Sequence, residues 1–174
     1  MRRRQDWHSG RILDNTLRTD VYTCYMAEAL KQNRLTLSAL PCACANLRRA
    51  ARAVTRLYNR ELHSDGIEIT QFTLMMALKH VGEISQGELA EILALDSTSL
   101  TRMLKLLKDH GWVQAKEGDD RRFRLFRLTK AGREKFQQCV PHWKHDEGQL
   151  RAALGKKTMG ELGAALAEVT RVSV

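Results

Sequence analysis

Apolar residues recur every three or four positions along most of this chain, which is the spacing of amphipathic helices. The first clear stretch runs from Pro41 to about His63, and proline suits the first turn of such a helix. A helix with an apolar stripe must bury that stripe against another element. The stripe consists of Leu47, Ala50, Ala51, Val54, Leu57 and Tyr58.

Two shorter helices are predicted next. Residues 64–66 break the first pattern, and Thr70 is expected to cap a second helix that ends at Gly82. Ser85 and Glu88 then match a capping box, in which a hydroxyl and a carboxylate three residues apart satisfy free backbone amides. A short third helix is therefore expected directly after Ser85.

The pattern changes after a fourth predicted helix at residues 97–109, which Gly111 ends. Residues 112–116 and 122–128 read as two strands joined by a polar turn. Thr129 is expected to cap a long helix that runs to Leu154, followed by a last helix that ends near Arg171. Residues 1–40 show no sustained period and are interpreted as an N-terminal extension, whose first 25 residues could precede the native translation start.

Composition and charge narrow the function classes. The chain has 174 residues and a net charge of +9. Residues 61–96 carry one basic and seven acidic side chains, whereas residues 97–135 carry eleven basic and five acidic ones, which favours a polyanionic partner. No uncharged apolar run approaches the roughly 20 residues of a membrane span, and no secretory signal is evident. We therefore expect a cytoplasmic protein with reduced thiols and no membrane partner.

The order of the elements indicates a winged helix. Two short helices joined by a turn form a helix-turn-helix, and the hairpin that follows forms the wing. The second helix of this motif enters the major groove, with Leu100, Met103, Leu104 and Leu107 on its buried face. The predicted DNA-binding face of this helix consists of Ser97, Thr98, Ser99, Thr101, Arg102 and Lys105.

Arginines dominate the predicted chemistry of this surface. Arg102 is the best candidate for reading a base, because its guanidinium can bond two acceptors of one guanine. The hydroxyls and Lys105 are expected to contact phosphates instead. The second predicted strand and the residues just before it carry several positive charges close together, which favours binding of an anion. The narrow minor groove of DNA attracts arginine side chains. These arginines are Arg121, Arg122, Arg124 and Arg127.

The hairpin and the segment after it resemble the wing motif of the MarR family. Asp120-Arg121-Arg122, followed by Leu128-Thr129-Lys130-Ala131-Gly132, is similar to the family's Asp-x-Arg and Leu-Thr-x-x-Gly elements, and residues 95–102 resemble its recognition helix. The resemblance covers residues 41–171 and leaves the extension, with Cys24, without a counterpart.

The resemblance implies a bacterial transcriptional regulator, usually a repressor, that acts as a homodimer on a pseudo-palindromic operator. It also implies that Arg122 reaches the minor groove, held by Asp120, and that a small-molecule effector, an oxidant or a metal could be sensed. The expected fold is mostly α, a winged helix-turn-helix with a two-stranded wing plus a helical dimerisation region. The domains are a poorly defined extension at 1–40, a dimerisation helix at 41–64, the DNA-binding domain at 65–129 and C-terminal dimerisation helices at 130–174.

Cysteine and histidine residues leave two interpretations open. Cys42 and Cys44 precede the first helix, where a helix N-terminus favours a reactive thiolate, but cysteine also packs as a small hydrophobe. Cys139, His142 and Asp146 share one helix face and are metal-ligand types, although such a set is more often a solvated face. We therefore predict possible redox sensing at Cys42 and Cys44, and no metal site.

No glycine-rich phosphate loop, nucleophile elbow or site of paired carboxylates is evident, so we expect no enzyme and no cofactor. The predicted function is a sequence-specific, double-stranded DNA-binding transcriptional regulator, a repressor released by a small ligand or by oxidation. Two alternatives remain: a winged-helix protein-interaction module, and a metal-responsive regulator that uses Cys and His residues.

Overall fold

The computed structural model describes residues 42–117 and 124–173. Contacts divide the chain into two compact units, 1–51 and 52–174, and the described part of the first unit is the start of one helix. The fold is mostly α, as predicted. Its elements are α1 (Ala43–Leu62), a 3-10 turn (His63–Asp65), α2 (Ile69–Val81), β1 (Ile84–Ser85), α3 (Gln86–Leu93), α4 (Ser97–Asp109), β2 (Val113–Glu117), β3 (Arg124–Leu128) and α5 (Lys130–Ser173).

The start of α2 differs from the prediction. Glu68, rather than Thr70, is the N-cap, and its backbone N–H donates to Oε1 of Gln71 at 3.2 Å. The side chain of Asn59, in α1, accepts the N–H of Ile69 at 2.8 Å. Because the last turns of α1 supply this acceptor, the helix begins one residue before Thr70, which is exposed.

The helix-turn-helix begins with the predicted capping box. The N–H of Ser85 donates to Oε2 of Glu88 at 3.0 Å, and the N–H of Glu88 donates back to Oγ of Ser85 at 3.3 Å. Ala94 then adopts a left-handed conformation (φ 49°) that ends α3. Asp96 caps α4 by accepting the N–H of Ser99 at 2.9 Å.

The hairpin belongs to a three-stranded antiparallel sheet in the order β1-β3-β2. Strands β2 and β3 form the two-stranded wing that the sequence predicts, and Val113 pairs with Leu128. The short strand β1 was not predicted; it adds Ile84 opposite Phe126. The sheet and helices α1 to α5 enclose one core, which includes Tyr58, Leu62, Phe72, Met75, Leu78, Ile84, Leu89, Leu100, Leu104, Leu107, Val113, Phe126, Leu128 and Phe136.

Helix α5 starts and breaks where the sequence predicts. Oγ1 of Thr129 accepts the N–H of Gly132 at 2.9 Å, which caps the helix. A side chain at Gly132 would not fit, because its Cβ would lie 1.9 Å from the carbonyl oxygen of Trp112. Gly155 has non-helical angles (φ 78°, ψ 160°) and separates the long helix from the last one. Within the described ranges, no helix is long and apolar enough to cross a membrane.

Candidate nucleic-acid interface

Helix α4 has one buried and one open face. Leu100, Leu104 and Leu107 are at most 2% exposed, and Met103 is half-buried. The opposite face carries the polar side chains that the sequence assigns to DNA, and all of them are exposed. They are Ser97, Thr98, Ser99, Thr101, Arg102 and Lys105.

Internal bonds already occupy part of this polar face. The hydroxyl of Thr101 donates to the carbonyl of Ser97 at 2.6 Å and accepts from Nε2 of Gln86 at 2.7 Å, which joins α3 to α4. The ammonium of Lys105 lies 2.7 Å from Oδ2 of Asp109 one turn later. Phosphate binding by Lys105 would therefore compete with an exposed ion pair, a weak interaction in water.

Arg102 is the least engaged cation of the face. It is exposed, and no hydrogen bond or ion pair joins it to another of the described residues. A guanidinium has five donors in a fixed plane, and here they are directed to solvent from the middle of α4. This is the property that bidentate contact to a base edge requires.

The N-terminus of α4 carries a fixed negative charge. Hydrogen bonds from Ser99 to the carboxylate of Asp96 lower the pKa of Asp96 below its ordinary value. The charge therefore persists under mildly acidic conditions, and it offsets the positive end of the helix dipole. Phosphate contacts are consequently expected from side chains rather than from the first amides of α4.

The wing arginines do not share one role. Arg124 starts β3 and is exposed, as expected for a DNA contact. Arg127 is half-buried instead: Nη1 lies 2.5 Å from Oε1 of Glu83, and the amide oxygen of Gln114 accepts from Nε and Nη2 at 2.6 and 2.8 Å. Glu83 opposes the charge of Arg127 and Gln114 holds its guanidinium, so Arg127 is engaged within the sheet, whereas Arg124 is exposed; a contact of Arg127 with DNA stays a prediction.

The remaining wing residues of the predicted site lie outside the described part of the chain. These are Asp120, Arg121 and Arg122.

Cys42 precedes α1, as predicted, whereas Cys44 lies inside the helix rather than before it. The carbonyl of Cys42 accepts the N–H of Asn46 at 3.1 Å, so Cys42 lies at the N-terminus of α1 and Cys44 within its first turn. Both thiols are free and exposed. This excludes their burial within the described chain, but redox sensing stays a prediction.

The face formed by Cys139, His142 and Asp146 is not the solvated face that the sequence suggested. Cys139 and Asp146 are buried, and Nδ1 of His142 lies 2.6 Å from Oδ2 of Asp65. Burial raises the pKa of the Cys139 thiol to about 11, which disfavours the thiolate near neutral pH. No group of three or more metal-ligand side chains suited to an ion occurs among the described residues.

A groove lies beside α1 that the sequence did not predict. Its volume is about 550 Å³, and it combines apolar and basic side chains of one helix and the following turn. The sequence feature that could have indicated the groove is the recurrence of basic residues at steps of four and three, at Arg56, Arg60 and His63. The groove is lined by Ala53, Arg56, Leu57, Asn59, Arg60 and His63.

Comparison with known proteins gives one consistent family. The sequence profile of the MarR family matches residues 65–122. The multiple antibiotic resistance protein MarR of Salmonella typhimurium is 35% identical over 85 residues, which are 48% of this chain and 59% of that protein. The transcriptional repressor MprA of Escherichia coli is 30% identical over 107 residues, 60% of this chain and 61% of MprA. The chain thus spans less than two thirds of both proteins.

Solved structures extend the likeness. The Mycobacterium tuberculosis transcriptional regulator MosR, determined in complex with DNA, is 30% identical with a TM-score of 0.70, over 76% of this chain and 96% of MosR. A mutant E. coli MarR complexed with operator DNA is 27% identical with a TM-score of 0.66, over 71% of this chain and 89% of that one.

Proposed function

Because the chain belongs to the MarR family of transcriptional regulators, we propose that it binds a pseudo-palindromic operator as a homodimer and represses transcription. The observation that carries this proposal is the exposed polar face of α4, with Arg102 directed to solvent on a helix whose other face is buried. MosR and MarR, both solved with DNA, share this fold. Repression is proposed by analogy with MprA, which is named a repressor.

Assembly follows from the last part of α5. Its large apolar side chains recur at helical spacing and are 38–64% exposed, which a helix in water avoids unless a partner covers it. Two-fold pairing would bury this stripe and hold two α4 helices about 34–36 Å apart, one turn of DNA. The stripe consists of Leu162, Leu166, Val169 and Val172.

Each contact has a proposed role. Arg102 reads a base, while Ser97, Thr98, Ser99, Thr101 and Lys105 contact phosphates. In the wing, the family motif assigns Arg122 to the minor groove and Asp120 to holding it, and Arg121 and Arg124 add positive charge there.

A small anion with an apolar body is the effector class that suits the groove beside α1. Arg56, Arg60 and His63 would bind its negative group, and Leu57 its apolar part. Operator release by aromatic carboxylates tests this: Arg60→Ala should lose the response, whereas Arg52→Ala, on an exposed residue outside the groove lining, should keep it.

The DNA-binding proposal is tested by selecting a site from random duplex DNA and measuring affinity against salt. We expect a two-fold symmetric site and a steep loss of affinity with salt. Arg102→Ala should cost about 1–3 kcal/mol on that site and relax one base position. Lys108→Ala, in the last turn of α4, is the matched control and should retain sequence preference. No selected site, or an Arg102→Ala variant that binds like the wild type, would contradict the assignment.

A further inference from the structure

Asp65, at the end of the 3-10 turn after α1, is a buried carboxylate whose side chain is 4% exposed. One face of α5 surrounds it. Nδ1 of His142 lies 2.6 Å from Oδ2, and Nε2 of Gln138 donates to Oδ1 at 3.2 Å. Burying a charge is unfavourable unless it is paired and hydrogen-bonded, and here the partners come from two consecutive turns of α5.

The same residue is connected to the DNA-reading part of the chain. The backbone carbonyl of Asp65 accepts from the ammonium of Lys135, and this ammonium lies 5.4 Å from the ring centroid of Trp112. Trp112 joins α4 to β2, and its carbonyl accepts the N–H of Thr129 at 3.0 Å. One set of contacts thus links the end of α1, the start of α5 and the junction between recognition helix and wing.

We propose that Asp65 is a positioning residue for DNA binding: its contacts with α5 fix the angle at which α1 leaves the winged helix, and thereby the spacing of the two α4 helices in the dimer. The inference rests on the proposed function. Among the described residues, the hydrogen bonds and ion pairs of Asp65 are made with α5 and not with the polar face of α4, so its effect is on geometry rather than on base or phosphate contact.

A carboxylate is suited to this place because it accepts from several donors at once. Asparagine would keep the shape and could still accept from one donor, but it would lose the charge that His142 faces. Other contacts keep α1 on α5 after such a change: the hydroxyl of Tyr58 donates to Glu147, and Leu62 is fully buried in the core. Asp65→Asn is therefore expected to fold.

The contact is sensitive to pH through His142, whose side chain is 41% exposed and accessible to protons. The hydrogen bond to Asp65 raises the pKa of His142 above its ordinary value of 6.5. The stabilising charge pair is complete below pH 6.5 and is lost as pH rises through the raised pKa. The titratable and charged groups near this contact are Glu61 and Arg60 of α1, Asp65 of the turn, and Lys135, Cys139, His145 and Asp146 of α5.

The experiment compares full-length wild type, Asp65→Asn, His142→Gln and the control His145→Gln on three duplexes carrying the selected site. One has its native half-site spacing, one has a base pair inserted between half-sites, and one has a single half-site. His145 is exposed one turn from His142 and is not bonded to Asp65. Circular dichroism and sedimentation establish that each variant folds and dimerises.

We expect Asp65→Asn to lose about tenfold in affinity at native spacing, within the usual range of coupling between sites. Its preference for native over lengthened spacing should fall, while its half-site affinity changes less than twofold. His142→Gln should remove the part of the wild-type pH dependence that lies above pH 6.5, and His145→Gln should keep it.

Three results would overturn the inference: Asp65→Asn with wild-type spacing preference, Asp65→Asn that weakens full and half sites equally, or His142→Gln with a wild-type pH profile. If Asp65→Asn fails to fold, the inference is decided by His142→Gln, from the pH profile of its DNA affinity and from its preference for the native half-site spacing. A wild type that selects no DNA would refute the proposed function itself, a result distinct from these three.

Discussion

The winged helix and the last helical segment of α5 differ in where their apolar side chains go. Between Ile67 and Leu128, buried apolar side chains from three helices and a sheet converge on one core, and all of them but Phe126 are less than 5% exposed, although Val81, Ile92 and Leu106 lie exposed on its surface. After Gly155, every residue except Met159 is exposed in the described chain, including the leucines of the α5 stripe. The first region is stabilised by contacts within one chain, whereas the second offers its apolar surface to another.

This difference separates two tasks of a DNA-binding dimer. Presenting α4 requires a rigid support, which a close-packed core supplies. Bringing two such supports together requires an apolar surface that remains uncovered in the monomer. The tasks should therefore be separable by mutation, with effects on assembly and effects on folding arising from different parts of the chain.

The largest effect is expected from Leu162→Glu combined with Leu166→Glu. Burying a leucine contributes about 1.5–3 kcal/mol. The dimer would lose four buried leucines, two from each protomer, and would place glutamate charges of both protomers close together. Sedimentation should show a shift from a dimer toward 19.9 kDa monomers, with little change in circular dichroism. Ala164→Glu, on the opposite side of the same helix, is the control and should remain dimeric. Unchanged mass in the double variant would remove this stripe from the interface.

Leu104→Ala tests the packed core of the winged helix. The side chain is 2% exposed in the centre of the core, so truncation should destabilise the fold by about 2–5 kcal/mol. Denaturant unfolding, analysed at a fixed protein concentration because dimerisation contributes to stability, measures this loss. Leu106→Ala, a residue of the same helix that is 40% exposed, should change stability by less than about 0.5 kcal/mol. Similar losses for the two variants would contradict the assigned burial.

The regions also differ in how far sequence alone could describe them. The capping box at Ser85 and the stripe of α4 are local signals, because their partners lie within one or two turns. Strand β1 has two residues, too few for an alternating pattern, and its partner Phe126 lies far along the chain. The wing was therefore predicted with two strands, although the sheet has three.

Long-range polar contacts were the least predictable part of the site. Glu83 and Arg127 are 44 residues apart, and Asp65 and His142 are 77 apart. Helical spacing showed that Cys139 and His142 share a face, but only the fold shows that this face meets the turn after α1. The predicted polar face of α4 needed no such information, since helical period alone separates it from the buried leucines.

A smaller effect is expected at the capping box, which stabilises the winged helix locally. Ser85→Ala removes the hydroxyl that accepts the N–H of Glu88, and should reduce the free energy of unfolding by about 1 kcal/mol. Thr73→Ala is the matched control, because among the described residues its hydroxyl bonds only to the carbonyl of Ile69 within an intact helix. Chemical denaturation should therefore separate the two. Equal losses of stability in Ser85→Ala and Thr73→Ala would mean that the capping box contributes no more to stability than an ordinary surface hydroxyl.

The smallest expected effect is a gain in stability, at the polar contact between α1 and α5. Asp146 is 2% exposed, and its Oδ2 has no hydrogen-bond partner among the described residues. Burial raises the pKa of Asp146 above its ordinary value of 3.8. The carboxyl therefore ionises first in the unfolded chain, so stability falls as pH rises from 3.8 to the raised pKa, and the full penalty applies above that pKa. Asp146→Asn removes the charge at similar volume and should raise Tm at pH 7 by about 2 °C. This advantage should shrink as pH falls through the raised pKa, because the wild-type carboxyl is then neutral as well.

Glu161→Gln, at an exposed acid of the same helix, should show neither the gain nor its pH dependence. A variant that is less stable than the wild type at pH 7 would show instead that the Asp146 charge is compensated in the folded protein, and that the α1–α5 contact depends on it.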